Sequence, residues 1–171
     1  MNIKLVRPMI EMKEEALTYR QAHFDVGESI ISGSELLDQT EDYEEWVKCV
    51  EANTSPLTVN PQWVVTDTFF AVDENEQIVG IIDLRHELND FLKDYGNVGY
   101  SVKPSERGKG YATEMFRQVR EIAKASGMKE LQMAVHRDNI PSVKTIVSAG
   151  GVAGRSFIAE DKWADIYLIT L

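Results

Sequence analysis

Val102-Lys103-Pro104-Ser105-Glu106-Arg107-Gly108-Lys109-Gly110-Tyr111-Ala112 is the segment on which the reading of this chain turns. Ahead of it, Asn97 to Lys103 alternates Val98, Tyr100 and Val102 with Gly99 and Ser101, the period of a strand. Behind it, Ala112, Met115, Phe116, Val119, Ile122, Ala123 and Ser126 share one helical face, and Gly127 supplies the stop. A strand that enters a helix through a glycine-rich turn aims several backbone N–H groups at one point, where the helix dipole adds positive potential. That is an anion site. Gly108 and Gly110 allow an anion close to the backbone, and Arg107 and Lys109 add charge; a glycine pair in a turn is also compatible with a purely structural role. Two familiar phosphate motifs are excluded. A P-loop needs G-x-x-x-x-G-K-[ST], whereas Lys109 is followed by Gly110; a dinucleotide fingerprint needs a third glycine where Thr113 stands.

Working outward, Ile3 to Arg7 reads as a short strand closed by Pro8, and Met9 to Ala22 as an amphipathic helix. Residues 25–41 read as loop or short turn, Asp42 to Ala52 as a second helix, and Asn53 to Asn60 as loop. Thr68 to Val72 and Gln77 to Leu84 flank the polar turn Asp73-Glu74-Asn75-Glu76, as in a hairpin. After the strong helix come a strand at Leu131 to Val135, a helix at Asn139 to Ala149 followed by Gly150-Gly151, and two closing strands, Val152–Ala159 and Trp163–Leu171.

At 171 residues with 43% hydrophobic and 27% charged side chains, the chain fits one soluble globular domain, 1–171. No apolar run approaches the ~18 residues of a spanning helix, and the N-terminus has no signal-peptide pattern. Cys49 is the only cysteine, so no intrachain disulfide forms and a cytoplasmic location is expected. A net charge of −10 argues against a nucleic-acid surface. The charge is divided, however: residues 1–95 carry −13 and residues 96–171 carry +3. Solvated helix faces would produce this, and so would two halves of one site that receive ligands of opposite charge.

The pattern Arg107-Gly108-Lys109-Gly110-Tyr111-Ala112, written R-x-x-G-x-A, resembles the acetyl-CoA pyrophosphate loop of the GNAT N-acetyltransferase superfamily. Asp138-Asn139-Ile140-Pro141-Ser142, the helix after it and Gly150-Gly151 extend the likeness over about residues 68 to 159, and the N-terminal strand and helices match the family's usual order. The resemblance implies an α/β (α+β) GNAT fold. Its central sheet would be mixed, mostly antiparallel and twisted, with six or seven strands, about four flanking helices and splayed strands at the cofactor site. The ligand implied is acetyl-CoA as cosubstrate, with no metal. Backbone N–H groups from Arg107 through Gly108, Lys109, Gly110 and Tyr111 to Ala112 would hold its pyrophosphate. The backbones of Tyr100, Ser101 and Val102 would pair with the pantetheine arm, and an N–H at Val102 would stabilise the thioester oxygen as charge develops. Asn139 matches the asparagine that touches the arm, with Ser142 beside it; Asn139 is equally suited to cap its helix.

The reaction implied is direct attack of a neutral amine on the acetyl carbonyl, so a base or an ordered water must take a proton. His86 and Glu87, in the polar run Arg85-His86-Glu87-Leu88-Asn89 after the Gln77–Leu84 strand, are the base candidates; a solvated loop is the alternative. His136 and Asp138 are weaker candidates, His23 is expected at the surface, and Cys49 is expected to be an ordinary buried cysteine. Many relatives place a tyrosine seven residues after the asparagine to protonate the leaving sulfur. Here Ile146 occupies that position, which brings in a second reading, a non-catalytic acetyl-CoA sensor. An unrelated phosphate-binding protein is a third. The acidic half favours a cationic acceptor, a small molecule or a peptide amine, with no nucleic acid or membrane partner and with a homodimer possible.

Overall fold

The computed structural model describes residues 2–171. Strand β1 (Lys4–Val6) leads through a short 3-10 turn into helix α1 (Lys13–Phe24), and α2 (Tyr43–Ala52) follows the irregular segment between. Asp42 caps α2 by accepting from the backbone of Glu44 at 2.9 Å, a contact that adds about 1 kcal/mol to a helix start. Strands β2 (Thr66–Val72), β3 (Ile78–Arg85) and β4 (Val98–Val102) then form an antiparallel meander. Helix α3 (Tyr111–Ala125) crosses to β5 (Glu130–His136), and α4 (Ile140–Ser148) precedes the hairpin of β6 (Val152–Ala159) and β7 (Lys162–Thr170). These bounds match the sequence expectations to within a few residues.

The expected single sheet is divided. Four strands run in the order β1-β2-β3-β4 and three in the order β5-β7-β6, with every pairing antiparallel. One isolated bridge, Gly96 with Met133, joins the two. Beside it Asn97 N donates to Gln132 O at 2.7 Å and Gln132 N donates to Asn97 Oδ1 at 2.8 Å. Among the described residues β4 and β5 pair nowhere else, so β4 keeps an open edge from Val98 onward.

Two cores lie on opposite faces. Met115, Phe116, Val119 and Ala123 of α3 pack with Ile82, Leu84, Val98 and Val102 on one side, joined by Leu131, Met133, Ile146 and Ile169. On the other side Tyr19 of α1 and Tyr43, Trp46, Val47 and Val50 of α2 cover Phe70, Ile78 and Ile81. Each large apolar side chain buried this fully contributes about 1.5–3 kcal/mol.

Two expectations are corrected here. Cys49 is exposed, because Trp46, Val47 and Val50 take the inward stripe of α2 and leave position 49 facing outward. His23 is only 1% exposed, because it stacks edge-on against Tyr19 at 4.9 Å inside the α1 face. The segment 25–41, read as loop, is irregular but packed: Ile31, Ser34 and Leu37 are all buried.

Candidate active site

The phase of the β3–β4 ladder shows which backbone groups of β4 are available. Arg85 N donates to Asn97 O and Lys103 N donates to Val79 O, so from Gly99 to Lys103 the odd-numbered residues face β3, while Asn97 at the junction turns its carbonyl to β3 and its N–H to β5. In an antiparallel pair the alternate residues turn both N–H and C=O the other way. Val98, Tyr100 and Val102 therefore present their backbones at the open edge. Ser101 does not: its backbone faces β3, its carbonyl accepts from the Tyr19 hydroxyl at 3.1 Å, and its own hydroxyl donates to Ser32 O at 2.9 Å. Of the three residues expected to meet a pantetheine arm through the backbone, the geometry leaves Tyr100 and Val102.

The open edge runs directly into the glycine loop. Gly108 and Gly110 take φ of +76° and +89°, the left-handed region that a Cβ disfavours, and this reverses the chain into α3. No side chain among the described residues caps α3. Among the described residues, the N–H groups from Gly108 to Thr113 find no protein acceptor. This cluster of unpaired donors at a helix start is what an anion of pyrophosphate size requires.

The loop's cations are committed elsewhere. Arg107 donates from both terminal nitrogens to Glu28, at 2.6 and 2.7 Å, and from Nε to Val102 O at 3.2 Å. Lys109 Nζ lies 2.8 Å from Glu106. The Arg107 guanidinium holds the Glu28 carboxyl down at about 2, and His23 Nδ1 approaches the same carboxylate at 2.8 Å. Burial lowers the His23 pKa, and its buried Nε2 has no hydrogen-bond partner among the described residues. The loop thus leaves its backbone donors free, and its side chains brace it.

Asn139 caps α4, accepting from Ser142 N at 3.3 Å, while its residue as a whole is exposed and open to a ligand. Tyr100 projects to the α3 face, where its hydroxyl is buried near Ser142 and Thr145 of α4 and has no partner of hydrogen-bond geometry among the described residues. Ile146 is 1% exposed and packs against Gly151, so the position where relatives carry a tyrosine is core here.

The base candidates separate. His86 is tied to β2, its N–H bonding Val65 O and its Nε2 lying 2.7 Å from Asp67, which also pairs with Arg7 at 2.6 Å. That places it two strands from the open edge. Glu87 is exposed and makes no ion pair among the described residues. His136 is half-buried at the end of β5, and Asp138 is exposed and pairs with Lys162 at 2.6 Å.

A different pair lies beside β4. Asp83 of β3 is fully buried, accepts from Gly99 N at 2.6 Å and pairs with Arg85 at 2.9 Å. Glu35 sits against it. Burial and the Asp83 carboxylate push the Glu35 pKa up to about 8. Glu35 and Leu36 both take positive φ, +47° and +68°, and Trp46 Nε1 donates to Glu35 O at 2.9 Å from behind. The sequence did carry one signal for this site: a lone acid, Asp83, inside the apolar run Ile78-Val79-Gly80-Ile81-Ile82-Asp83-Leu84. Nothing local pointed to Glu35.

A family profile, the acetyltransferase (GNAT) domain, matches residues 7–152. The chain belongs to the GNAT acetyltransferase family. As a GNAT protein it shares its fold with the microcin C7 self-immunity acetyltransferase MccE, solved with acetyl-CoA and AMP, at a TM-score of 0.71 and 16% identity over 99% of this chain and 92% of that one. It is similar also to the spermidine/spermine N-acetyltransferase SpeG of Vibrio cholerae, at a TM-score of 0.67 and 12% identity over 98% and 93% of the two chains. Compared with curated proteins, the sequence has no match at a significant level. No helix among the described residues is long and apolar enough to cross a membrane.

Proposed function

We propose that this GNAT protein transfers an acetyl group from acetyl-CoA to a primary amine of a cationic small molecule or peptide, by direct attack. The observation that carries the reading is the continuity of the open β4 edge, at Tyr100 and Val102, with the unpaired N–H groups of residues 108–113. The edge offers an added strand its hydrogen bonds and the loop offers an anion its donors, so one extended ligand with a diphosphate at one end satisfies both. Acetyl-CoA supplies the activated acetyl group.

The chain's own contribution is orientation and proton handling. An N–H at Tyr100 or Val102 donates to the acetyl oxygen, where negative charge develops during attack. The acceptor arrives as an ammonium ion, drawn by the −13 charge of residues 1–95, and must lose a proton. Glu35, paired with Asp83 across one strand from the open edge, takes that proton; a base that titrates near the working pH suits the task. Glu35 thereby replaces His86 and Glu87 as the first choice of base. SpeG, named for spermidine and spermine, is an example of the same fold acting on polyamines.

The test is release of free thiol from acetyl-CoA with a panel that includes spermidine, an amino sugar and a lysine peptide. Amine-dependent release supports transfer. Tight acetyl-CoA binding with no release for any amine would make the protein a sensor instead.

A further inference from the structure

Residues 28–35 lie along the whole of β4 on the α1 face. At one end Glu28 grips Arg107 of the glycine loop at 2.6 and 2.7 Å. Next, Ser32 O accepts from the Ser101 hydroxyl at 2.9 Å. Gly33 then presses on Gly99 so closely that a Cβ on Gly33 would stand 2.3 Å from Gly99 O. At the far end Glu35 meets Asp83, the residue paired with Gly99 in the β3–β4 register. The segment is held from behind by Trp46, whose indole N–H donates to Ser34 O at 3.1 Å and Glu35 O at 2.9 Å. His23, buried beside Tyr19, steadies Glu28 at 2.8 Å.

We propose that residues 28–35 are a strap linking the cofactor loop to the proton acceptor, with the Glu28–Arg107 pair as its latch, so that Glu28 is a positioning residue acting through Glu35. The inference rests on the readings of residues 107–112 as the pyrophosphate loop and of Glu35 as the base. Its physical content is coupling. Acetyl-CoA that orders residues 107–112 also orders Arg107, and the bidentate pair transmits that order to the strap, because two parallel hydrogen bonds leave a guanidinium and a carboxylate little freedom to rotate. Occupancy of the loop and placement of Glu35 then favour each other, and by linkage the effect is reciprocal.

The experiment compares the whole protein with the Glu28→Gln, Arg107→Gln and double variants, using acetyl-CoA as the probe. Calorimetry gives its affinity, hydrogen exchange reports the amides of residues 29–37, and carboxyl NMR with Glu35→Gln as the assignment control follows Glu35. In the wild type, acetyl-CoA is expected to slow exchange across residues 29–37 by about tenfold. In Glu28→Gln its affinity should stay within about threefold, since the backbone donors are intact, while the protection disappears and Glu35 titrates about one pH unit lower. Arg107→Gln and the double variant should lose the protection to the same extent, as expected for two halves of one contact. Acetyl-CoA-dependent protection that survives in Glu28→Gln overturns the latch. So does a parallel loss of affinity and protection, which would make the pair a brace of the loop alone. A wild type with no affinity for acetyl-CoA overturns the cofactor-site reading, and the latch with it, whereas an unshifted Glu35 in a protein that binds normally overturns the latch alone.

Discussion

Asn97 and Gln132 close a ring of hydrogen bonds at the only junction of the two sheets among the described residues. Asn97 N donates to Gln132 O at 2.7 Å and Gln132 N donates back to Asn97 Oδ1 at 2.8 Å. The Asn97 amide also donates to Arg85 O at 3.0 Å, so one buried side chain ties β3 and β5 together just before β4 departs. The wedge between the sheets begins here. Asn97→Ala strands the Gln132 N–H and Arg85 C=O, and each buried unpaired group costs about 1–3 kcal/mol. At ~2–4 °C per kcal/mol for a chain of this size, the two groups together should lower thermal unfolding by about 4–24 °C. A shift under about 2 °C would mean that packing, not this ring, holds the junction.

At the other end of β4, Gly110→Glu places a Cβ at a φ of +89° and a negative charge among the unpaired donors. Acetyl-CoA affinity should fall by more than about 100-fold, from strain and like-charge repulsion together, with the far-UV circular dichroism unchanged. Isothermal titration measures it. Unchanged affinity would place the diphosphate elsewhere.

Glu35→Gln should lower kcat by about 100-fold, within the range that general bases contribute, with little change in the KM for acetyl-CoA. His86→Ala should cost no more than about fivefold, because its Asp67 contact lies on β2. The wild-type rate should climb with pH and level off above about 8, as Glu35 loses its proton, and this limb should vanish in Glu35→Gln. Full turnover in Glu35→Gln at every pH would return attention to His86 and Glu87.

Acid stability follows from Glu28. Arg107 depresses its pKa to about 2 in the folded protein, below the unfolded carboxylate value. A depressed folded pKa means that the unfolded chain binds protons first, so the stabilisation is fully present above about pH 4.5 and is lost as pH falls toward 2. Urea unfolding measured between these limits should show the wild type losing stability more steeply than Glu28→Gln. Because the pair is partly exposed, salt should reduce the difference. Equal slopes for the two proteins would show that the pair is not retained in solution.

The element order, the glycine loop and the strong α3 helix were legible in the chain because each depends on neighbours in sequence. Alternation in Asn97–Lys103, the 3.6-residue stripe of Met115, Phe116 and Val119, and glycines at positive φ are local properties. Glu35 was not legible, since its surroundings are burial and the Asp83 carboxylate, 48 positions away in sequence, and its place is set by the contact of Gly33 with Gly99. His23 and Cys49 were misplaced for a related reason: each lies on a helix where the neighbouring elements decide which side is inside, and a single helix does not specify what packs against it. Arg107 adds charge to the loop in sequence, and the structure pairs that charge with Glu28. The chain by itself therefore determined where unpaired backbone donors gather, at a glycine turn before a helix. Only the tertiary structure decided which charges are free to act, because charge–charge distances across 79 residues are set by packing and not by spacing.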